Sequence, residues 1–403
     1  MSWRYEDGGP QRRQVVDGGL HLGPGRGLEV ATRVAPAATM VVTDEAGAYF
    51  LLRHTAGDGA VALVERIDPV SLEPVAESPE LAGGPVWPGG IGVAPDGAVH
   101  VVFGNHAHRL DAELQPTHAA ELPRDRPYNS FVALADGHLV TKDFGGSLPG
   151  RHVPAAEREP CELIALDPDD LTVVDRLVLP EASIARLSAD GHTVYVVGDT
   201  HLLRVDWIGG HLRLDEGFRA RYRTLAGQTY GWDCVLAAGA AWFLDDGEGS
   251  EHYTGTLRGH GVSTAPLHLV RVDLTTAEVA MVEVCGRPGG LVANPPVVDE
   301  ARGVVVGYDS GNGVLAGFDL TTLERRWRHD QDHGGHLLLY AGTGELVTGD
   351  HADVVVRDVV TGDELARADN GMGIQSVLFP CPGPSGDFYI CTFLGASRVT
   401  VAG

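Results

Sequence analysis

Three stretches of the chain share one pattern: LVRVDLTTAEV at residues 269–279, LAGFDLTTLER at 315–325 and VVVRDVVTGDE at 354–364. Each reads as an apolar strand that ends in an aspartate, followed by a polar turn and a further strand. The same aspartate marks the ends of seven such strands, at Asp68, Asp111, Asp167, Asp206, Asp273, Asp319 and Asp358. The pattern predicts that these carboxylates accept hydrogen bonds from backbone N–H groups two residues further on and so close a turn.

A second, glycine-containing turn recurs between two apolar runs. It occurs eight times, around Gly47, Gly97, Gly137, Gly191, Gly239, Gly303, Gly344 and Gly386. Glycine accepts the positive φ that tight hairpins require. The aspartate markers lie 39 to 67 residues apart, with a base spacing near 40. That period is typical of a four-stranded propeller blade, so the sequence predicts an all-β propeller of eight blades, with seven blades as the alternative.

The last repeat, which begins at residue 374, contains only three strands. An N-terminal strand is therefore expected to complete it, and the run Arg13–Val16 is β-compatible. The resulting ring predicts a single domain over residues 1–403.

The composition limits the partners that the chain can have. With 30 Lys and Arg against 55 Asp and Glu, the formal net charge is -25. Such a chain repels phosphate backbones and anionic lipid, so we expect a small-molecule substrate and neither nucleic acid nor membrane. The N-terminal residues contain no apolar stretch typical of a signal peptide, which predicts a cytoplasmic protein. Five cysteines without CxxC spacing predict buried thiols.

Two repeats are enlarged by long loops between their second and third strands, at residues 143–161 and 245–266. In a propeller these loops share one face with the blade-to-blade connections. Loops of this length are often functional, so we interpret both as lids over a central funnel. The alternative is that these loops have no functional role or form a contact between subunits of an oligomer.

Polar and aromatic residues that precede the inner strands are predicted to line this funnel. The ligand-binding candidates are Asn129, Tyr230, Trp232, Asn294 and Gln375. The catalytic candidates are His252, Arg258, His336 and His351, because imidazole exchanges protons near neutral pH and guanidinium binds carboxylates at two points.

A cluster of histidines and acids also fits the ligand preferences of a divalent transition metal. Its members are His333, His336, Asp350 and His351. Neutral imidazole nitrogens with one carboxylate suit such ions, so a divalent metal is the candidate cofactor. A metal-free site or purely structural histidines are the alternatives.

The layout resembles the quinoprotein-like and YVTN-type β-propellers, on blade endings such as DLTTLERRW at 319–327 and DVVTGDE at 358–364. The resemblance implies the architecture. Members that use pyrroloquinoline quinone carry a tryptophan in most blades and often adjacent cysteines. This chain has six tryptophans and no adjacent cysteine pair.

The sequence is therefore compatible with three functions. The first is an enzyme that acts on a small metabolite in the axial funnel, a hydrolase or a lyase or isomerase, with metal assistance as an option. The second is a non-catalytic propeller that binds a ligand or a protein. The third is a quinone-type oxidoreductase.

Overall fold

The computed structural model describes residues 3–23, 25–57, 59–85, 88–146, 153, 157–250, 256–332, 334–373 and 379–402. These residues form eight antiparallel sheets, each of four principal strands, in a β-propeller. They contain one 3-10 turn, Glu6–Gly8, and no α-helix. The predicted eight-bladed, all-β architecture is confirmed.

Two strands precede the first blade: β1 (Val15–Val16) and β2 (Leu28–Val34). Blade 1 contains β3 (Ala38–Thr43), β4 (Tyr49–His54), β5 (Ala60–Ile67), β6 (Pro74–Glu77) and the short β7 (Leu81–Gly84), which pairs with β5. Blade 2 contains β8 (Gly90–Val93), β9 (Val99–Phe103), β10 (His106–Leu110) and β11 (Pro116–Glu121). Blade 3 contains β12 (Tyr128–Ala133), β13 (Leu139–Asp143), β14 (Glu162–Leu166) and β15 (Val173–Val178). Blade 4 contains β16 (Ser188–Asp190), β17 (Thr193–Val197), β18 (His201–Ile208) and β19 (His211–Arg221).

The remaining strands form the second half of the ring. Blade 5 contains β20 (Val235–Ala237), β21 (Ala240–Leu244), β22 (His268–Asp273) and β23 (Val279–Glu283). Blade 6 contains β24 (Val297–Asp299), β25 (Val304–Asp309), β26 (Val314–Asp319) and β27 (Arg325–Asp330). Blade 7 contains β28 (Leu338–Tyr340), β29 (Glu345–Asp350), β30 (Asp353–Asp358) and β31 (Glu364–Asp369). Blade 8 contains β32 (Cys381–Pro382), β33 (Phe388–Thr392) and β34 (Gly395–Val401), and β2 adds its outer strand.

The N-terminal closure of the ring is confirmed, but the strand assigned to it is wrong. The outer strand of blade 8 is β2, which pairs with β34 along its whole length, from Leu28 opposite Val401 to Val34 opposite Gly395. The run Arg13–Val16 lies elsewhere: its last two residues form β1, which pairs in parallel with the inner strand β28. Both segments are β-compatible, and only their long-range partners distinguish them.

The repeated turns form as predicted. All eight hairpin glycines have positive φ, between 60° and 95°. The aspartate markers accept backbone N–H groups two to four residues on, as Asp273 does from Thr275 and Thr276 and Asp319 from Thr321 and Thr322. Asp206 is the exception, because it lies inside the long strand β18 and accepts from the Thr193 hydroxyl instead.

Apolar side chains fill the spaces between neighbouring blades. Inner strands such as β3 and β8 are buried along their whole length, whereas outer strands such as β11 and β15 are mostly exposed. Each inner strand lies between two blades and therefore lacks a solvated face. All five cysteines are free and buried, as predicted.

The central channel is occupied by residues 3–16, called here the axial segment. Its backbone bonds to inner strands around the ring: Trp3 to Thr43, Arg4 to Val93, Pro10 to Ala189, Gln11 to Leu236 and Gln14 to Leu339. Those partners belong to blades 1, 2, 4, 5 and 7. A segment that contacts so many blades lies inside the ring, so the chain fills its own channel.

The two faces of the disc are distinguished by their connections. The loop face carries the connections between blades and those between second and third strands, including the described parts of the long loops 143–161 and 245–266. The hairpin face carries the remaining turns. Among the described residues, no helix has the length and apolar character needed to cross a lipid bilayer.

Candidate functional site

Six charged or titratable side chains meet in the channel and are called here the axial cluster: Glu6, Asp7, Arg12, Arg186, Asp233 and His336. Arg12 lies 2.5 Å from Glu6 and 3.3 Å from Asp7, and Arg186 lies 3.3 Å from Asp233. The imidazole Nδ1 of His336 is 2.8 Å from Asp7 Oδ1. Burial alone would raise the pKa of Asp7, but His336, Arg12 and Arg186 together lower it. Each buried charge therefore has an opposite partner.

Four of the predicted funnel residues are buried, and the two asparagines among them bond to the backbone. Asn129 donates to the carbonyl of Ile184, and its own carbonyl accepts from Arg186. Asn294 donates to the carbonyl of Pro295. Tyr230 and Trp232 are buried, and the Arg158 guanidinium lies 3.8 Å from the centroid of the Tyr230 ring. Gln375 lies outside the described residues.

The other predicted site residues do not join His336. The His351 side chain is 54% exposed and lies 3.3 Å from Asp332. Asp350 pairs with Arg367 at 3.0 Å. Arg258 is exposed near Gly313 of blade 6. His252 and His333 lie outside the described residues.

The predicted metal set is therefore not assembled by its described members. No group of three His, Cys, Asp or Glu side chains in the described ranges is arranged to hold a metal ion. His336 precedes an inner strand and turns into the channel, whereas His351 lies in the turn after β29, at a φ of 58°. Adjacent loops in the sequence thus direct their histidines to different environments.

An open polar cleft lies on the loop face, between blades 4 and 5. This blade 4–5 cleft has a volume of about 640 Å³, and its polar lining includes Arg221, Arg223, Gln228, Thr229, Glu248 and Ser263. One wall is the connection from β19 to β20, and the other is the described part of the long loop 245–266. Thr229 and Ser263 are buried, and their hydroxyl oxygens are 3.1 Å apart.

Asp199 directly precedes Thr200, which lines this cleft, in the turn between β17 and β18. Burial raises its pKa to about 6, while Arg158 lowers it and Glu181 raises it further. Arg158 Nη1 is 3.4 Å from Asp199 Oδ1. Arg223 and Glu248, which line the cleft, also act on its charge. A carboxyl group with this pKa can both donate and accept a proton near neutral pH.

Two further acids lie beneath the cleft. Asp245 accepts three hydrogen bonds, from the His268 backbone at 2.6 Å, the His268 ring at 2.9 Å and the Gln228 amide at 2.7 Å. Its neighbour Asp246 accepts the Thr229 N–H at 3.3 Å. Burial, together with the charge of Asp245, raises the pKa of Asp246 to about 8. Burial raises the pKa of Asp245 as well, although hydrogen bonds from His268 and Gln228 oppose that rise.

Asp199, Arg223 and Glu248 were not among the predicted catalytic or ligand-binding residues. The available signal was positional, because Asp199 follows a second strand, Arg223 lies in the connection from β19 to β20, and Glu248 lies in the long loop 245–266. The property that singles out Asp199 is its burial beside cationic groups, and burial of a single polar residue is not encoded in the repeat.

No protein-family model and no curated protein sequence matches the chain. Solved structures do resemble it. BamB from Moraxella catarrhalis aligns with a TM-score of 0.59 at 14% identity, over 92% of this chain and 99% of BamB. The quinohemoprotein alcohol dehydrogenase from Comamonas testosteroni aligns with a TM-score of 0.67 at 12% identity, over 99% of this chain and 80% of that enzyme. A europium-containing methanol dehydrogenase aligns at 0.66 and 10%, over 97% and 89% of the two chains. The chain therefore has the quinoprotein-like β-propeller fold.

The described residues on the axis do not fit a planar quinone. The Arg12 side chain is 1% exposed and bonds to the Leu187 carbonyl and the Ser130 hydroxyl. Its guanidinium and the carboxylates of Glu6 and Asp7 thus occupy the centre of the ring. Trp232, a candidate stacking residue, is packed in the apolar core between blades 5 and 6.

Proposed function

We propose that this chain binds a small anionic metabolite in the blade 4–5 cleft and that Asp199 exchanges a proton with it, in a hydrolase or lyase reaction. The observation that carries the proposal is a carboxyl group with a pKa of about 6 in the residue next to Thr200, which lines an open cavity together with two arginines. Shifted carboxyl groups beside a cleft are typical of acid–base sites.

The cationic wall of the cleft supports an anionic ligand. Arg221 and Arg223 both line it. The Nε of Arg223 donates to the Gln228 carbonyl at 2.7 Å, which fixes the plane of its guanidinium. A fixed guanidinium binds carboxylate or phosphate with two parallel hydrogen bonds. In a chain of net charge -25, two adjacent arginines form a local site for an anion.

The acids support proton transfer. Asp199 in its protonated form can donate to a leaving oxygen, and Glu248 provides a second carboxylate in the cleft. The Thr229 hydroxyl accepts the Glu248 backbone N–H at 3.3 Å, which holds Glu248 next to the buried Thr229 and Ser263 hydroxyl groups. General acid catalysis of this kind contributes about 100- to 10,000-fold to a rate.

Binding is tested by titration calorimetry with inorganic phosphate, L-malate and citrate. We expect Arg223→Ala to weaken binding of the preferred anion by about tenfold or more, since a charge-assisted pair is lost. Arg213→Ala, an exposed arginine on β19 away from the cleft, is the matched control. No binding by any of the three anions, or equal binding by both variants, contradicts the proposed site.

Turnover of the bound anion separates catalysis from binding. The Asp199→Asn variant is expected to bind the preferred anion as tightly as the wild type does. Its kcat is expected to be lower by about 100-fold or more. Because the protonated acid is the active form, kcat of the wild type should fall as the pH rises through about 6. Unchanged kcat in this variant would remove Asp199 from the reaction.

The raised pKa of Asp199 also predicts a pH-dependent stability. A buried acid whose folded-state pKa is raised contributes stability below its unfolded pKa and loses it as the pH rises through about 6. Asp199→Asn cannot ionise, so we expect it to exceed the wild type in free energy of unfolding by about 2 kcal/mol at pH 7.5. The two proteins should be equal below about pH 4. Urea titrations at both pH values test this, with the exposed Glu216→Gln as control.

A non-catalytic binding propeller is the second candidate. Three exposed apolar side chains lie together at the loop face of blade 8: Val34, Phe393 and Leu394. The backbone bond from Ala35 to Leu394 holds these two loops side by side. Anion binding that depends on Arg223, without turnover of any probe, would favour this second function.

A further inference from the structure

We propose that the hairpin face carries a second ligand site, at the mouth of the channel, which takes a small polyhydroxylated molecule such as a monosaccharide or its sugar acid. The site is a cavity of about 780 Å³, larger than the blade 4–5 cleft. It is independent of the function proposed above, because it lies on the other face of the disc.

The walls of this cavity come from two sources. The axial segment supplies one side, from Gly8 to Arg13, and the first hairpin turns of blades 2, 3 and 4 supply the other, including residues 94–96, 133–137 and 189–191. The axial segment is held against blade 4 by hydrogen bonds from Ala189 to the Pro10 carbonyl and from the Gln11 amide to Asp190. The cavity is therefore shaped by hydrogen-bonded backbone on both sides.

An unpartnered acceptor lines the cavity. His100 is 2% exposed, and its Nε2 lies 2.8 Å from the Pro168 carbonyl. Since a carbonyl only accepts, Nε2 carries the proton, and burial lowers the pKa of His100 so that the ring is neutral. Nδ1 is then a buried lone pair with no hydrogen-bond partner among the described residues. Its natural partner is a donor such as a hydroxyl group.

Unpartnered donors line the same cavity. Arg4 donates its Nε to the Val93 carbonyl, yet its buried Nη2 has no partner in the part of the chain that the structure describes. Arg109 pairs with Asp96 through Nη2 at 2.7 Å, yet its buried Nε has no partner within the same described residues. Buried polar atoms without partners are uncommon in folded proteins. These three residues line the cavity and together leave one acceptor and two donors unpaired, which matches a ligand that carries both donors and acceptors.

The charge of the cavity matches this class of ligand. Four arginines line it, Arg4, Arg12, Arg13 and Arg109, against four aspartates, Asp96, Asp136, Asp169 and Asp190. This balance contrasts with the net charge of -25 for the chain. A neutral sugar or a singly charged sugar acid meets no net repulsion there, and the lining has no excess of cations to attract a polyphosphate.

The test is titration calorimetry of the full chain with D-glucose and D-gluconate, which separate a neutral from an anionic ligand. We expect one of them to bind, and His100→Phe, which keeps a ring but removes the acceptor, to weaken binding by about tenfold. The exposed His118→Ala on β11 of the same blade is the matched control and should bind like the wild type.

A steric variant keeps the test independent of folding effects at His100. Ala135 is exposed on the cavity wall, so Ala135→Trp should fill the cavity and lower affinity without disturbing the core. The cleft variant Arg223→Ala should leave sugar binding unchanged, which distinguishes this site from the blade 4–5 cleft. Failure of both ligands to bind, or equal binding by His100→Phe, Ala135→Trp and wild type, overturns the proposal and assigns the unpartnered atoms to water.

Discussion

Replacement of Arg12 by methionine is expected to lower the free energy of unfolding by about 3 to 5 kcal/mol, because it leaves buried charges without their partner. Arg12 is 1% exposed and lies between Glu6 and Asp7, both almost fully buried. Methionine preserves much of the side-chain volume but none of the five donors. The Leu187 carbonyl and the Ser130 hydroxyl lose a partner as well.

The matched control for this variant is Arg13→Met in the same axial segment. Arg13 and its partner Glu300 are about half exposed, at 46% and 47%, and such pairs contribute about 0 to 1 kcal/mol. Urea unfolding at pH 7 measures both variants. Similar losses in the two would show that the axial segment is held by its backbone bonds, and would contradict the role given to the axial cluster.

Asp246→Asn is expected to stabilise the protein at pH 8 by about 3 kcal/mol. Because burial raises the pKa of Asp246 to about 8, folding at that pH must take up a proton or bury a charge. This cost is absent below the unfolded pKa of an aspartate, near 3.9, and grows as the pH rises toward 8. Asparagine does not ionise and keeps an oxygen for the Thr229 N–H.

The backbone adds a second reason for this gain. Asp246 has a φ of 61°, a left-handed conformation that asparagine tolerates as well as aspartate does. Unfolding should be measured at pH 5 and pH 8, where the advantage of the variant must be larger at pH 8. Asp245→Asn is the control and should destabilise, because that carboxylate accepts three hydrogen bonds. An Asp246→Asn advantage that is equal at both pH values would show that ionisation is not its cause.

Some parts of the candidate sites were within reach of the sequence. The position of the long loop 245–266 follows from an enlarged repeat, and it supplies a wall of the blade 4–5 cleft. His336 was selected because it precedes an inner strand, and it does lie in the channel. Its partner could not be selected, because Asp7 is 329 residues away along the chain. The grouping of His336 with His351 failed because proximity in sequence does not decide which way a side chain turns.

The chain's own repeats determined the blades. Hairpin glycines act through the positive φ that they accept, and turn-closing aspartates act through hydrogen bonds over two to four residues, so the effect of both is visible in the local sequence. Tertiary structure alone decided what fills the channel, which N-terminal strand completes blade 8 and which carboxyl groups are buried. The first two outcomes depend on contacts between residues hundreds of positions apart. The pKa of Asp199 or Asp246 follows from burial and from charged groups that lie up to tens of positions away along the chain.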